Sequence, residues 1–185
     1  GVESGKEWIR EHVMNRKHSN QTLKNAFMIA RKFGIRAHSY TMFGLPFETK
    51  DMQQDTISLN ISLKPDSGTC YYFFPYPCTK AYQLCLDYDL LPDDIEEKSG
   101  YFEGPALKEV HASRKETEKN FQALQLFFYF RLFFSNMPIN LDNFLFKISL
   151  LFRHILFYFC NITTKKSSVR KLILLMRKLG LRLMY

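Results

Sequence analysis

Three chain reversals carry the residues best suited to chemistry: Glu3-Ser4-Gly5, Asn15-Arg16, and the stretch from Gly44-Leu45-Pro46 to Glu48. An acid at a strand end can accept hydrogen bonds from hydroxyls, and an arginine can grip a carboxylate bidentately, which lysine does less well. Gly44 has no side chain, so its backbone can come flat against a planar group, and Pro46 stiffens the turn. On their own these residues also have ordinary readings. Glu3 suits an ion pair with Lys6 or Arg10, Arg16 a solvated position, and Gly44-Leu45-Pro46 a plain turn between strand and helix. Glu48 suits either a brace for a neighbouring loop or the first turn of the next helix, where negative charge is favourable.

Other reactive side chains form no recognisable set. Cys70, Cys78, Cys85 and Cys160 lack metal-ligand or paired spacing, so they read as packing thiols in a reducing, cytoplasmic compartment. The five histidines are scattered, with no i, i+4 pair. The N-terminus shows no secretory signal, and the chain opens on what reads as the middle of a strand, as a piece of a longer protein does.

The elements that must hold the three reversals alternate. Val2–Gly5 reads as the end of a buried strand, followed by a polar helical segment to about Asn15. Ser19 caps a helix whose Leu23, Ala26, Phe27, Ala30 and Phe33 fall at helical spacing, and Gly34 stops it. Ile35–Phe43 reads as a strand; Thr49 caps a helix that Lys64-Pro65 ends; Thr69–Phe74 reads as a third strand; Lys80–Leu86 reads as a short helix. Alternating strands and helices predict an α/β fold with parallel strands, and ligands of such folds bind at the carboxyl ends of the strands. Residues 1–92 form this part, 93–120 a polar connector with Gly and Pro breakers, and 121–185 an aromatic-rich, then basic, helical region.

Charge follows the same division. Residues 1–118 hold 15 basic and 17 acidic side chains, whereas residues 119–185 hold 11 basic residues and one acid, Asp142. The net charge of +8 therefore resides in the tail. Between residues 165 and 185, Arg170, Lys171, Arg177, Lys178 and Arg182 share one arc of a helical wheel, with Leu172, Ile173, Met176, Leu179, Leu183 and Met184 over most of the rest. That helix suits an anionic membrane surface or docking on its own protein, and nucleic acid less well. Phe144–Cys160 is too short and too charged to span a bilayer.

In order along the chain stand GVESG, NRKHSN, FGIRAHSY, MFGLPFET, DTISLN, KPD and PYPCT. This series resembles the radical SAM superfamily, in particular the subgroup that often carries an N-terminal cobalamin-binding domain. The resemblance covers about residues 1–92. It implies the C-terminal half of a partial (β/α)6 TIM-like barrel whose mouth holds S-adenosylmethionine over a 4Fe–4S cluster, with cobalamin on a further domain. The family's Cys-x3-Cys-x2-Cys cluster motif does not occur in the chain, so the resemblance implies an N-terminal half of the same enzyme as partner, and no activity for this chain alone.

The resemblance implies cofactor contacts from Glu3 and Ser4 to the ribose diol and from Arg16 to the methionine carboxylate. Gly44, Leu45 and Pro46 become the adenine wall, reading the base through free backbone groups, with Met42 or Phe43 completing the slot. Thr41 joins this set, although Tyr40-Thr41 stands where relatives often have Asp or Asn. Cys78 departs from the family's usual Gly; a positive φ there would cost about 1 kcal/mol. A non-enzymatic module, in which the basic tail carries the function, is the alternative reading.

Overall fold

The computed structural model describes residues 1–97, 100–101 and 104–133. The aromatic and basic tail beyond residue 133, including the helix expected over 165–185, lies outside the described residues.

The described chain is mixed α/β, with elements in the order α1 (Glu7–His12), α2 (Asn20–Lys32), β1 (His38–Phe43), α3 (Lys50–Leu63), β2 (Ser67–Tyr72), α4 (Lys80–Asp87) and α5 (Arg114–Phe133). A 3-10 turn, Ile95–Glu97, stands between α4 and α5. β1 and β2 pair in parallel, in register from His38 opposite Ser67 to Phe43 opposite Tyr72. The helix ends follow the local chemistry. Ser19 accepts the Thr22 amide at 3.1 Å, Thr49 the Met52 amide at 3.3 Å and Thr79 the Tyr82 amide at 3.1 Å. Gly34 turns left-handed after α2 (φ 67°), and Lys64 does so after α3 (φ 53°), immediately before Pro65.

The expected first strand is reduced to a single parallel bridge between Glu3 and Thr41. Its extended run breaks because Glu3 is left-handed (φ 62°) and the Ser4 amide turns back onto the Val2 carbonyl at 2.8 Å. The second strand begins at His38 rather than Ile35, because the Ile35 amide still bonds the Ala30 carbonyl of α2 at 2.8 Å. The connector expected over 93–120 also ends early. α5 starts at Arg114 and runs through residue 121 without a break, so no end of a helix falls there.

One face of the sheet is covered. Phe43 and Cys70 pack with Ile57 of α3 and Leu124, Phe127 and Phe128 of α5. A second apolar cluster gathers Ile9, Val13, Leu45, Phe73, Cys85 and Leu90; a third joins Val2 to Leu59 and Leu63. Strand alternation turns Ser39, Thr41 and Phe43 toward the covered face, whereas His38 and Tyr40 stay exposed on the other. No described helix is long and apolar enough to cross a membrane.

α5 is docked by polar as well as apolar groups. Gln53 donates to Thr117 Oγ1 at 2.9 Å, Asn120 donates to Gln53 Oε1 at 2.8 Å, and Gln54 donates to Asn120 Oδ1 at 2.8 Å. Gln53, Thr117 and Asn120 are all buried, so these bonds answer groups that have left water.

Candidate functional site

The first chain reversal is organised around a buried arginine. Arg10 reaches from α1 to the Ser4 carbonyl, to the His18 carbonyl at 3.1 Å and to Asn20 Oδ1 at 2.7 Å. It thereby fixes the start of α2 against the end of the first extended segment. Arg10 is fully buried and meets carbonyl and amide oxygens rather than a carboxylate. Burial accordingly lowers its pKa, which nearby Glu7 partly offsets.

Glu3 and Arg16 meet beside this joint, Arg16 Nη1 lying 3.4 Å from Glu3 Oε1. The Glu3 side chain is 12% exposed and that of Arg16 is 47% exposed, so the pair opens to solvent on the arginine side. Glu3 finds neither of the cations expected from sequence spacing: Lys6 pairs with Asp55 at 3.7 Å, and Arg10 is held as described. His18 joins the cluster from the loop before α2. Burial, then Arg10 and Arg16, hold its imidazole below the ordinary histidine range, against a smaller upward pull from Glu3. Its Nε2 is buried with no hydrogen-bond partner among the described residues. Sequence spacing gave no sign of His18, because its neighbours there come from two other segments.

The expected hydroxyl contacts are turned elsewhere. Ser4 is fully buried, its Oγ 3.5 Å from Thr56 Oγ1 and accepting the Lys6 amide at 3.2 Å. Thr41 is also fully buried and lies 3.4 Å from Asn60 Oδ1 on α3. Both side chains face the helix layer, as alternation along β1 dictates for Thr41. Between the two candidates for the slot, Phe43 enters the core and Met42 takes the other face.

The Gly44 turn is likewise closed rather than open. Glu48 Oε2 accepts the Gly44 amide at 2.7 Å, the Leu45 amide at 3.4 Å and Gln53 Nε2 at 3.4 Å. The expectation of free backbone groups there is therefore corrected: a carboxyl oxygen already caps both amides. Glu48 also precedes the Thr49 cap, so it braces the turn and is not part of the α3 first turn. Gly44 is left-handed (φ 76°), and a Cβ placed on it would lie 3.6–3.7 Å from Thr117 and Pro105. Its bare face is thus covered by the segment leading into α5. Leu45 and Pro46 are buried beneath the same turn.

Glu48 is 2% exposed, and burial raises its pKa to about 8, against smaller downward effects from the Gly44, Leu45 and Gln53 bonds. Its other oxygen, Oε1, has no hydrogen-bond partner among the described residues. A cavity of about 30 Å3 adjoins the turn, lined in part by Gly44, Glu48, Pro105, Lys108 and Thr117.

Cys70 and Cys85 are buried and Cys78 is exposed; no three His, Cys, Asp or Glu residues converge on a metal site among the described residues. Cys78 does adopt the left-handed backbone (φ 66°) that favours glycine. No known protein-family model matches the chain, and no curated protein matches it significantly.

Proposed function

We propose that the chain is the C-terminal part of a radical SAM enzyme and holds S-adenosylmethionine at the carboxyl ends of a partial (β/α)6 barrel, through Glu3 and Arg16. The supporting observation is the Glu3–Arg16 pair. A non-glycine residue in the left-handed region costs on the order of 1 kcal/mol, and such strain gathers at ligand-holding positions. Here it falls on a mostly buried acid beside a half-exposed arginine, at the end of an extended segment joined to β1. A sulfonium amino acid nucleoside presents a diol that an acid can accept and a carboxylate that an arginine can grip. On binding, Arg16 exchanges Glu3 for the ligand carboxylate and leaves Glu3 to the ribose.

In this reading Ser4 and Thr41 support the layer behind the site, and Tyr40 and Met42 line the ligand side of β1. An adenine reaching Gly44 has to displace Pro105 or stack beside it. S-adenosylmethionine, reduced by a 4Fe–4S cluster whose ligands lie outside residues 1–185, would supply the radical chemistry; cobalamin would supply methyl transfer.

Titration of the full chain with S-adenosylmethionine, followed by NMR, tests the proposal. Shifts at Glu3, Arg16 and Tyr40–Pro46 are expected, with affinity weakened about tenfold or more by Arg16→Ala. No shift at roughly 5 mM ligand, or binding indifferent to Glu3→Gln and Arg16→Ala, overturns it.

A further inference from the structure

The segment Gly104–Ala112 lies across the Gly44–Glu48 turn. Pro105 covers Gly44, and Leu107 packs against the apolar cluster that contains Leu45. Its middle is tied to the rest of the chain by the Lys108 amide, which donates to the Leu90 carbonyl at 2.9 Å, and by Lys108 Nζ, which donates to Asp89 at 2.6 Å. Beneath it, among the described residues, the donors that reach this carboxyl group go to Glu48 Oε2, while Oε1 is buried without one. An ionised carboxylate in that position has half its charge unanswered, whereas a neutral one can carry its proton on Oε1. The adjoining cavity has room for about one water molecule, enough to accept that proton's hydrogen bond but not to hydrate an ionised carboxylate.

We propose that Gly104–Ala112 is a proton-operated strap, closed over the Gly44–Glu48 turn while Glu48 is neutral and released when Glu48 is charged. The charged state needs bulk water at Oε1, and the strap lies between this turn and solvent, with Pro105 and Ala106 buried and Glu109 and Val110 exposed. The other charged groups facing the cavity are Lys108, Glu109 and His111 from the strap and Arg114 from α5; α3 meets Glu48 with the neutral Gln53. Lys108 is paired with Asp89, and Arg114 donates to Glu118 at 2.9 Å. The burial-driven rise of the Glu48 pKa puts the change near neutral to mildly alkaline pH. The strap stands on this geometry and not on any ligand at Glu3 and Arg16.

The test uses the full chain, 13C-labelled at glutamate, with amide exchange read at Gly44, Leu45 and Lys108 and corrected for base catalysis. Between about pH 6.5 and pH 9, exchange at Lys108 is expected to rise about tenfold, with the midpoint of the Glu48 13C titration. Glu48→Gln, which leaves His111 and Lys108 in place, should abolish the rise. Three results overturn the proposal: Glu48 titrating as an ordinary carboxyl group, corrected exchange that stays flat or falls, or the same rise in Glu48→Gln. Should Glu48→Gln fail to fold, the coincidence of the two wild-type midpoints decides.

Discussion

Asn120 of α5 donates to Gln53 of α3 at 2.8 Å, and Gln53 in turn donates to Thr117, so two helices far apart in sequence share a buried polar seam. Each member satisfies another, and removing one strands its partner away from water. Asn120→Ala is expected to cost about 2 kcal/mol in urea unfolding. Gln53→Leu should cost more, because it also releases the Glu48 carboxylate and Thr117. The double variant should lose less than the sum of the singles, which a double-mutant cycle measures.

Stability should depend on pH through Glu48 in a definite direction. Its folded pKa of about 8 exceeds the ordinary 4.5, so the unfolded chain gives up this proton first as pH rises. The contribution is complete below about pH 4.5 and fades as pH climbs through 8, by roughly 4–5 kcal/mol at most. His18 and His38 act in the opposite direction: both are held below the ordinary 6.5, so their contribution fades as pH falls below that value. Unfolding free energies of the wild type and Glu48→Gln over this range isolate the carboxyl group; Glu48→Gln should lack the decline between about pH 4.5 and pH 8.

Replacing Arg10 should loosen the α1–α2 joint. Arg10→Met leaves the Ser4 and His18 carbonyls and Asn20 Oδ1 without their shared donor. A loss of about 3 kcal/mol is expected in denaturant melts. Arg10→Lys should recover only part of it, since one ammonium cannot span three acceptors fixed by a planar fork.

Two glycine replacements should differ in severity. A Cβ at Gly68 would sit 2.5 Å from the Phe128 ring, a side chain that can shift, and Gly68→Ala is expected to cost about 1–3 kcal/mol. Adding Phe128→Leu should recover part of that. A Cβ at Gly5 would run into the backbone of Asp55 and Thr56 on α3, which cannot step aside. Gly5→Ala should therefore be the worse of the two by thermal melting, with no single side-chain rescue.

Most element positions were legible because they rest on local chemistry. Ser19 and Thr49 announce helix starts, Gly34 and Lys64-Pro65 announce stops, and β-branched and aromatic runs mark the strands. The site was less legible, because it depends on contacts between distant segments. Arg10 sits in a polar helical stretch, yet it is buried among acceptors from Ser4 before it and from His18 and Asn20 after it. Glu48 reads either as a brace for a neighbouring loop or as a first-turn acid; the brace is what forms, and only the covering strap makes it a buried one. The start of α5 was hidden because its first turns are as charged as the connector before them, and its polar seam with Gln53 leaves no apolar stripe there.

The seam also sets an order of assembly. Its bonds join residues 64 to 67 positions apart, whereas β1, α3 and β2 are neighbours along the chain. During synthesis the strand–helix–strand unit emerges from the ribosome well before residue 128, and until then Gly68 and Cys70 present a bare apolar surface to solvent or to a chaperone. Docking of α5 is the late step of folding, and the nascent chain is most exposed to aggregation just before it.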